Sequence, residues 1–391
     1  MIRTLSSRLT AHFRPDGSHL ERYIRNKPTI TRSLCEDLIL HDQVLIPTTD
    51  YLTASGLICL IGEGPFISLL EQERIKFVRT RCVFGFGRGK LRDGGLAVFS
   101  DPESRRPQDA PIENSVAAAL ACISSLIQDP KKLHQLIARN SHPAETAKII
   151  ESVEHEAVQD FKKSRFWRSS YECGHPTLVA LPGLSKMQVR VAGAEYEEKR
   201  RAVDALLSLV VYNSDLYLAQ QHMCTAVSSV APIGDLIDLK AARITDHASC
   251  AWELFEVNGV PDLAHADLQQ PDNFAAFNRL ISGSTAREFR VWFHSRNSYN
   301  RTELMREYIT VLKQVPWISR MPSKLFRFLV TTGLGMIPGA GPVLGAAAGG
   351  FDAFVVDQLF RPKSPKFFLD DLNRVAGVLT APKKSTAPDE N

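Results

Sequence analysis

Residues 44–78 read VLIPTTDYLTASGLICLIGEGPFISLLEQERIKFV, and this stretch decides the fold class. Val44–Pro47 is a compact apolar run stopped by proline and a polar Thr-Thr-Asp, which predicts a short strand. Tyr51–Gly62 is almost wholly apolar, yet too short and glycine-broken to span a bilayer, so it predicts a buried helix. FISLLEQERI (Phe66–Ile75) has helical amphipathic spacing, and IKFV (Ile75–Val78) is a second strand. With LCEDLIL (Leu34–Leu40) as a helix ahead of them, these segments define an α/β unit of modest size. CVFGFG and GLAVFS flank a Gly- and Arg-rich turn and predict a hairpin.

Outward from this stretch, the pattern predicts an α+β, mainly helical protein. Its N-terminal α/β unit covers 1–100, and polar, proline-rich DPESRRPQDAPIEN makes 101–114 a linker or long loop. Residues 115–236 form a helical unit with a short β pair. NSVAAALACISSLIQ reads as a helix stopped at Asp129-Pro130, and PAETAKIIESVEHEAVQDFKK as a second helix with Pro143 in its first turn. PTLVALP and MQVRVAG read as the two strands, and EEKRRAVDALLSLVVYNSDLYLAQQHM as a long helix. A further helical unit covers 237–320. There CAWELFEV ends at Asn258-Gly259, and STAREFRVWFHS presents Phe289, Val291, Trp292 and Phe293 to a packed surface. Residues 321–378 comprise a Gly/Pro-rich apolar hairpin and a final helix, and 379–391 is a solvated tail.

At the N-terminus Ile2, Leu5, Leu9 and Phe13 share a helical face, with no acid before Asp16. This predicts a short docked helix; the same basic amphipathic pattern suits a membrane surface or an organelle presequence. No secretory signal is expected, because the segment lacks an apolar core.

With 391 residues the chain has room for two or three cores, at roughly 150 residues per domain. A net charge of +4 argues against a chain-wide surface for nucleic acid. Seven scattered cysteines without a CxxC pair point to buried free thiols and a reducing, cytoplasmic setting.

Chemical motifs are sparse. GFGRGK (Gly85–Lys90) departs from a phosphate loop, since Phe84 stands where the first glycine belongs and Leu91 follows the lysine. GAGPVLG (Gly339–Gly345) lacks a preceding strand and carries Pro342, which excludes a dinucleotide fingerprint. Neither Cys173 with His175 nor Asp246 and His247 with Cys250 has a second cluster at zinc-like spacing. Two patterns support function classes. Asp37, Asp42, Asp50 and Glu71 surround the first strand, and their convergence would hold Mg²⁺ for a metal-dependent nuclease. FKKSRFWRSSY interleaves Lys162, Lys163, Arg165 and Arg168 with Trp167 and other aromatics, a pattern suited to single-stranded nucleic acid and equally to a helix leaving its core.

The leading reading comes from Phe328–Phe351, FLVTTGLGMIPGAGPVLGAAAGGF, which contains no charged residue. Pro338 and Pro342 bracket Gly339 and Gly341, predicting a tight turn between two apolar arms. Each arm, about 15 Å long as helix, is half the roughly 30 Å hydrocarbon core, which disfavours a constitutive span. Gly341, Gly345 and Gly349 form a small-residue row that allows close helix approach. The expectation is a non-enzymatic cytosolic interaction or effector protein, without cofactor, whose hairpin mediates self-association, a protein contact or conditional membrane contact. The bland counterpart is a hairpin packed within its own core.

Overall fold

The computed structural model describes residues 1–10, 23, 25–80, 84–87, 96–100, 111–144, 153, 156–157, 160, 177–180, 186–190, 196–224, 226–228, 255–257, 263–294, 326–328 and 365–380. The first half runs β1 (Arg3–Ser6), α1 (Lys27–Leu40), β2 (Gln43–Thr48), α2 (Leu52–Ile61), α3 (Glu63–Glu71), β3 (Ile75–Arg79), β4 (Phe84–Gly87) and β5 (Leu96–Ser100). Then come α4 (Ile112–Ala121), α5 (Pro130–Arg139), β6 (Ser141–Pro143), β7 (Thr177–Ala180), β8 (Lys186–Arg190), α6 (Tyr196–Gln221) and β9 (Ala226–Ser228). The chain closes with β10 (Phe255–Val257), α7 (Pro271–Ser282), α8 (Ser284–His294), β11 (Phe326–Phe328) and α9 (Pro365–Leu379).

Five strands form a parallel sheet in the order β6-β3-β2-β1-β9. Parallel strands are covered on both faces, so their sequences carry apolar residues on both parities. Val44, Ile46, Ile75 and Phe77 face one core shared with α1–α5 and α7–α9. Leu5, Leu45 and Val78 have the opposite parity and are equally buried. The long helix α6 covers that second face, packing on β1 and β9. It also meets β4, β5 and β8 of a four-stranded antiparallel sheet ordered β4-β5-β8-β7. Helix α6 therefore touches both sheets.

Local chemistry explains several boundaries. Asp129 caps α5 by accepting from the Lys132 amide at 2.9 Å, with Pro130 in the first turn. Gly62 takes φ +87° between α2 and α3, which diverge by 118°, a bend that needs glycine's conformational freedom.

The coarse α+β, mainly helical character holds among the described residues, as do both strands of the 44–78 stretch and the β4–β5 hairpin. The glycine-rich hairpin beyond Phe328, the 300–315 helix and the 381–391 tail lie outside the described residues.

Four local expectations are corrected. The N-terminus is strand β1 rather than a helix: Leu5 is fully buried between β2 and β9, so sheet pairing overrides the helical spacing of Ile2, Leu5 and Leu9. Pro143 ends strand β6 instead of opening a helix; helical residues of that segment are described at Val153, Glu156, Ala157 and Asp160. Phe255–Val257, read as helical, pairs antiparallel with Phe326–Phe328. Val291 on α8 is 55% exposed while Phe289 is buried, because only one side of that helix packs. Helix α5 is not among the expected helices, α7 falls within the helical stretch expected over 237–320, and Cys122 is exposed whereas Cys35 and Cys224 are buried as expected.

Candidate functional site

The tripeptide Ser6-Ser7-Arg8 at the carboxyl end of β1 organises the most polar part of the interior. Successive residues of a strand point to opposite faces, so Ser6 and Ser7 are delivered to different layers. Ser6 donates to Asp37 Oδ2 on α1 at 2.5 Å, and Ser7 lies against Asp215 on α6. The Ser228 hydroxyl of β9 donates to Asp37 Oδ1 at 2.7 Å. Its carbonyl accepts from the Ser7 amide at 2.9 Å and the Arg8 amide at 3.2 Å. The ends of β1 and β9 are thus stitched together through side chain and backbone.

Arg8 then turns onto α1. It bonds Glu36 Oε2 and Asp37 Oδ1, each at 2.6 Å, and the Ser33 carbonyl at 3.0 Å. Burial pushes the Glu36 carboxyl up to about 7 and outweighs the opposing pull of Arg8. Burial would lower the Arg8 guanidinium, yet Asp37 and Glu36 together hold it above its ordinary value. The Asp37 side is fully hydrogen-bonded, as a buried carboxylate requires.

The Asp215 side is different. Asp215 is 4% exposed, and its Oδ2 has no hydrogen-bond partner among the described residues. Burial pushes its carboxyl up to about 7, against a lowering contact with Ser7. The buried acid Asp160, by contrast, accepts from Asn213 Nδ2 at 2.9 Å.

The four acids singled out in the sequence have separate occupations. Asp37 serves the ion-pair cluster. Asp42 lies at the amino edge of the sheet, accepting from the Ile2 amide at 2.8 Å and Arg290 Nε at 2.9 Å. Asp50 accepts from the Leu52 amide at 3.1 Å at the start of α2. Glu71 is half-exposed on α3 and pairs with Lys132 at 2.9 Å. Among the described residues no group of three or more His, Cys, Asp or Glu side chains is placed to hold a metal ion. Lys162, Lys163, Arg165, Trp167 and Arg168 lie outside the described residues, as do Gly341, Gly345 and Gly349.

Ser6, Ser7, Arg8, Ser228 and Asp215 were not singled out from sequence. One signal was available: in LLSLVVYNSDLYLA the polar run Tyr212–Asp215 interrupts an otherwise apolar helix, and all four residues are buried. What defines this molecule is therefore an α/β body with a parallel sheet and a polar cluster at the carboxyl end of β1, beside the edge strand β9. No family model matches the chain, and neither a curated protein nor a solved structure matches it.

Proposed function

We propose that the protein is a non-enzymatic interaction or effector protein whose α/β body carries the apolar C-terminal segment as a tethered element for self-association or conditional membrane contact. One observation supports this reading: the described residue before the segment is paired in a strand, and the described residues after it are fastened to the body. Before it, Phe328 of β11, the first residue of the charge-free run, is in register with Phe255 of β10. After it, α9 packs on α7 and α8, with the Phe368 ring stacked on Phe289 at 4.6 Å. The Asp267 amide donates to the Leu379 carbonyl at 3.2 Å and secures the far end of α9.

The apolar sequence of the intervening run favours removal from water against its own kind, a second copy or lipid. The Gly341, Gly345 and Gly349 row favours a close backbone contact. Among the described residues no single helix is long and apolar enough to cross a membrane. The bent pair α2–α3 has that composition, but its apolar side chains are part of the core.

The full chain would be tested for self-association by light scattering and for dye release from vesicles of phosphatidylcholine and phosphatidylglycerol. Gly345→Leu is expected to abolish the assembly or the leakage while leaving the thermal midpoint within a few degrees of wild type. A monomer that ignores vesicles, combined with a Gly345→Leu variant that loses stability through overpacking, would mean that the segment is core.

A further inference from the structure

The sheet face that carries Leu5, Leu45 and Val78 also carries a group of basic side chains. Leu5, Leu45 and Lys76 stand in one row of the strand register, and Val78 is paired with His142. Residues of one parity share a face, so Arg3 of β1, Lys76 of β3 and His142 of β6 project to the same side. His222 joins them from the turn that follows α6. The His142 and His222 rings have their centroids 6.1 Å apart. Arg3 Nη1 donates to the His222 carbonyl at 3.4 Å, and Lys76 Nζ pairs with Glu73 at 2.9 Å. None of the four basic residues is fully buried, and Met223 beside them is 77% exposed, so solvent reaches this place.

The field at this place is positive. Burial lowers both histidines; Lys76 and Arg3 lower His142 further against the pull of Glu73, and His142 and Arg3 lower His222. Among the described residues Glu73 is the acid whose charge reaches the pair, and it answers in turn to Lys76 and Arg139. Cys224 is no counter-charge, because burial pushes its thiol up to about 12 even beside Arg3. Grouped cations repel one another, and a bound anion relieves that repulsion, whereas the same cations oppose a metal ion between the two rings. The donors select the shape of the anion. A guanidinium fork, a three-donor ammonium and two imidazole rings come from three strands and the end of a helix, and so from several directions. A tetrahedral oxyanion offers an oxygen to each direction, while a carboxylate offers two in one plane. We infer that Arg3, Lys76, His142 and His222 bind a tetrahedral oxyanion of the phosphate class, as a free ion or as the phosphoryl end of a small monoester. This inference does not depend on the reading of the apolar segment.

The experiment is calorimetric titration of the full chain at low ionic strength with inorganic phosphate, glycerol 3-phosphate, sulfate and acetate. Saturable binding of the three tetrahedral anions is expected, with acetate about tenfold or more weaker. Phosphate binding as tightly as glycerol 3-phosphate would assign the site to the free ion; a preference for glycerol 3-phosphate would assign it to a monoester. Sulfate keeps its charge across the range in which histidine titrates, so its affinity should rise about tenfold or more from about pH 7.5 to about pH 5.5 as the rings gain protons. The double variant His142→Gln with His222→Gln should lose that rise. Lys76→Gln, at a partly exposed position, should weaken sulfate about tenfold at both pH values with the fold retained. In the wild-type chain the imidazole resonances of His142 and His222 should move on adding sulfate, a readout independent of any variant. Absence of saturable binding by all three tetrahedral anions, acetate binding as tightly as sulfate, unmoved His142 and His222 resonances, or unchanged sulfate affinity in Lys76→Gln would each overturn the inference.

Discussion

Ser6 and Ser7 are neighbours in sequence and are sent to opposite sides of the sheet, where each meets a buried carboxylate. On the α1 side the match is complete. Asp37 accepts from Ser6, Ser228 and Arg8, and Arg8 also holds Glu36. A buried ion pair contributes little when compared with a well-packed apolar replacement, but breaking one partner is expensive. Arg8→Ala would leave Glu36 and Asp37 side by side without their cation, so we expect a loss of about 3–5 kcal/mol in urea unfolding at neutral pH. Arg8→Lys should recover only part of it, because an ammonium does not present the fork of donors that reaches two carboxylates and a carbonyl. Full stability in Arg8→Ala would show that the cluster is neutral to the fold.

Among the elements, α9 shows how a local sequence signal becomes a tertiary fastening. Its Phe368, Leu372, Ala376 and Leu379 are buried at helical spacing, and Phe368 stacks on Phe289 of α8. Helix α8 is in turn held to the sheet's amino edge by Arg290, which bonds Asp42 at 2.9 Å and the Ile281 carbonyl at 3.0 Å. Phe368→Ala should destabilise the chain by about 3–5 kcal/mol if unfolding is global. If α9 opens on its own, hydrogen exchange will instead rise across 365–379 with little change elsewhere. Unchanged exchange and stability would contradict the packing described here. Helix α9 and the strands at 44–47 and 75–78 were legible because each carries a full period of its own pattern or a clear stop. β1 was not: four residues give too little periodicity to separate strand from helix, and Ile2, Leu5 and Leu9 satisfy a helical spacing by coincidence. β10 and β11 are shorter still, and their pairing across the intervening chain leaves no local trace.

For the molecule as a whole, the polar interior is coupled to global stability through its buried acids. The unusual acids, Glu36 and Asp215, are both pushed up to about 7 by burial. A carboxyl raised in the folded state binds its proton more tightly there than in the unfolded chain. Its contribution is therefore fully present below the unfolded value, about 4 for these acids, and is lost as pH rises through about 7. Asp42 is held below its ordinary value even though burial opposes this, by the Ile2 amide and Arg290; its contribution is lost only as the solution becomes strongly acidic. We therefore expect the urea midpoint of the wild-type chain to fall between about pH 5 and about pH 8, and Asp215→Asn to flatten much of that slope. A wild-type profile that rises over this window would show that neither carboxyl is raised.

Sequence by itself determined what depends on near neighbours: the α/β character of 44–78, the two antiparallel pairs flanking β5 and β8, the extent of α6 and α9, and an apolar segment that water cannot favour. These follow from periodicity, capping and turn chemistry, which act over a few residues. Tertiary structure alone decided which carboxylates share an environment. Asp37 and Asp42 lie close in sequence, yet one meets Arg8 and Ser228 while the other meets Arg290 at the opposite edge. Asp215 faces Ser7 only because β9 returns to the far side of β1 and carries α6 across the sheet. Burial and the partner across the fold set the chemistry of an acid, and neither is written in the residues on its two sides.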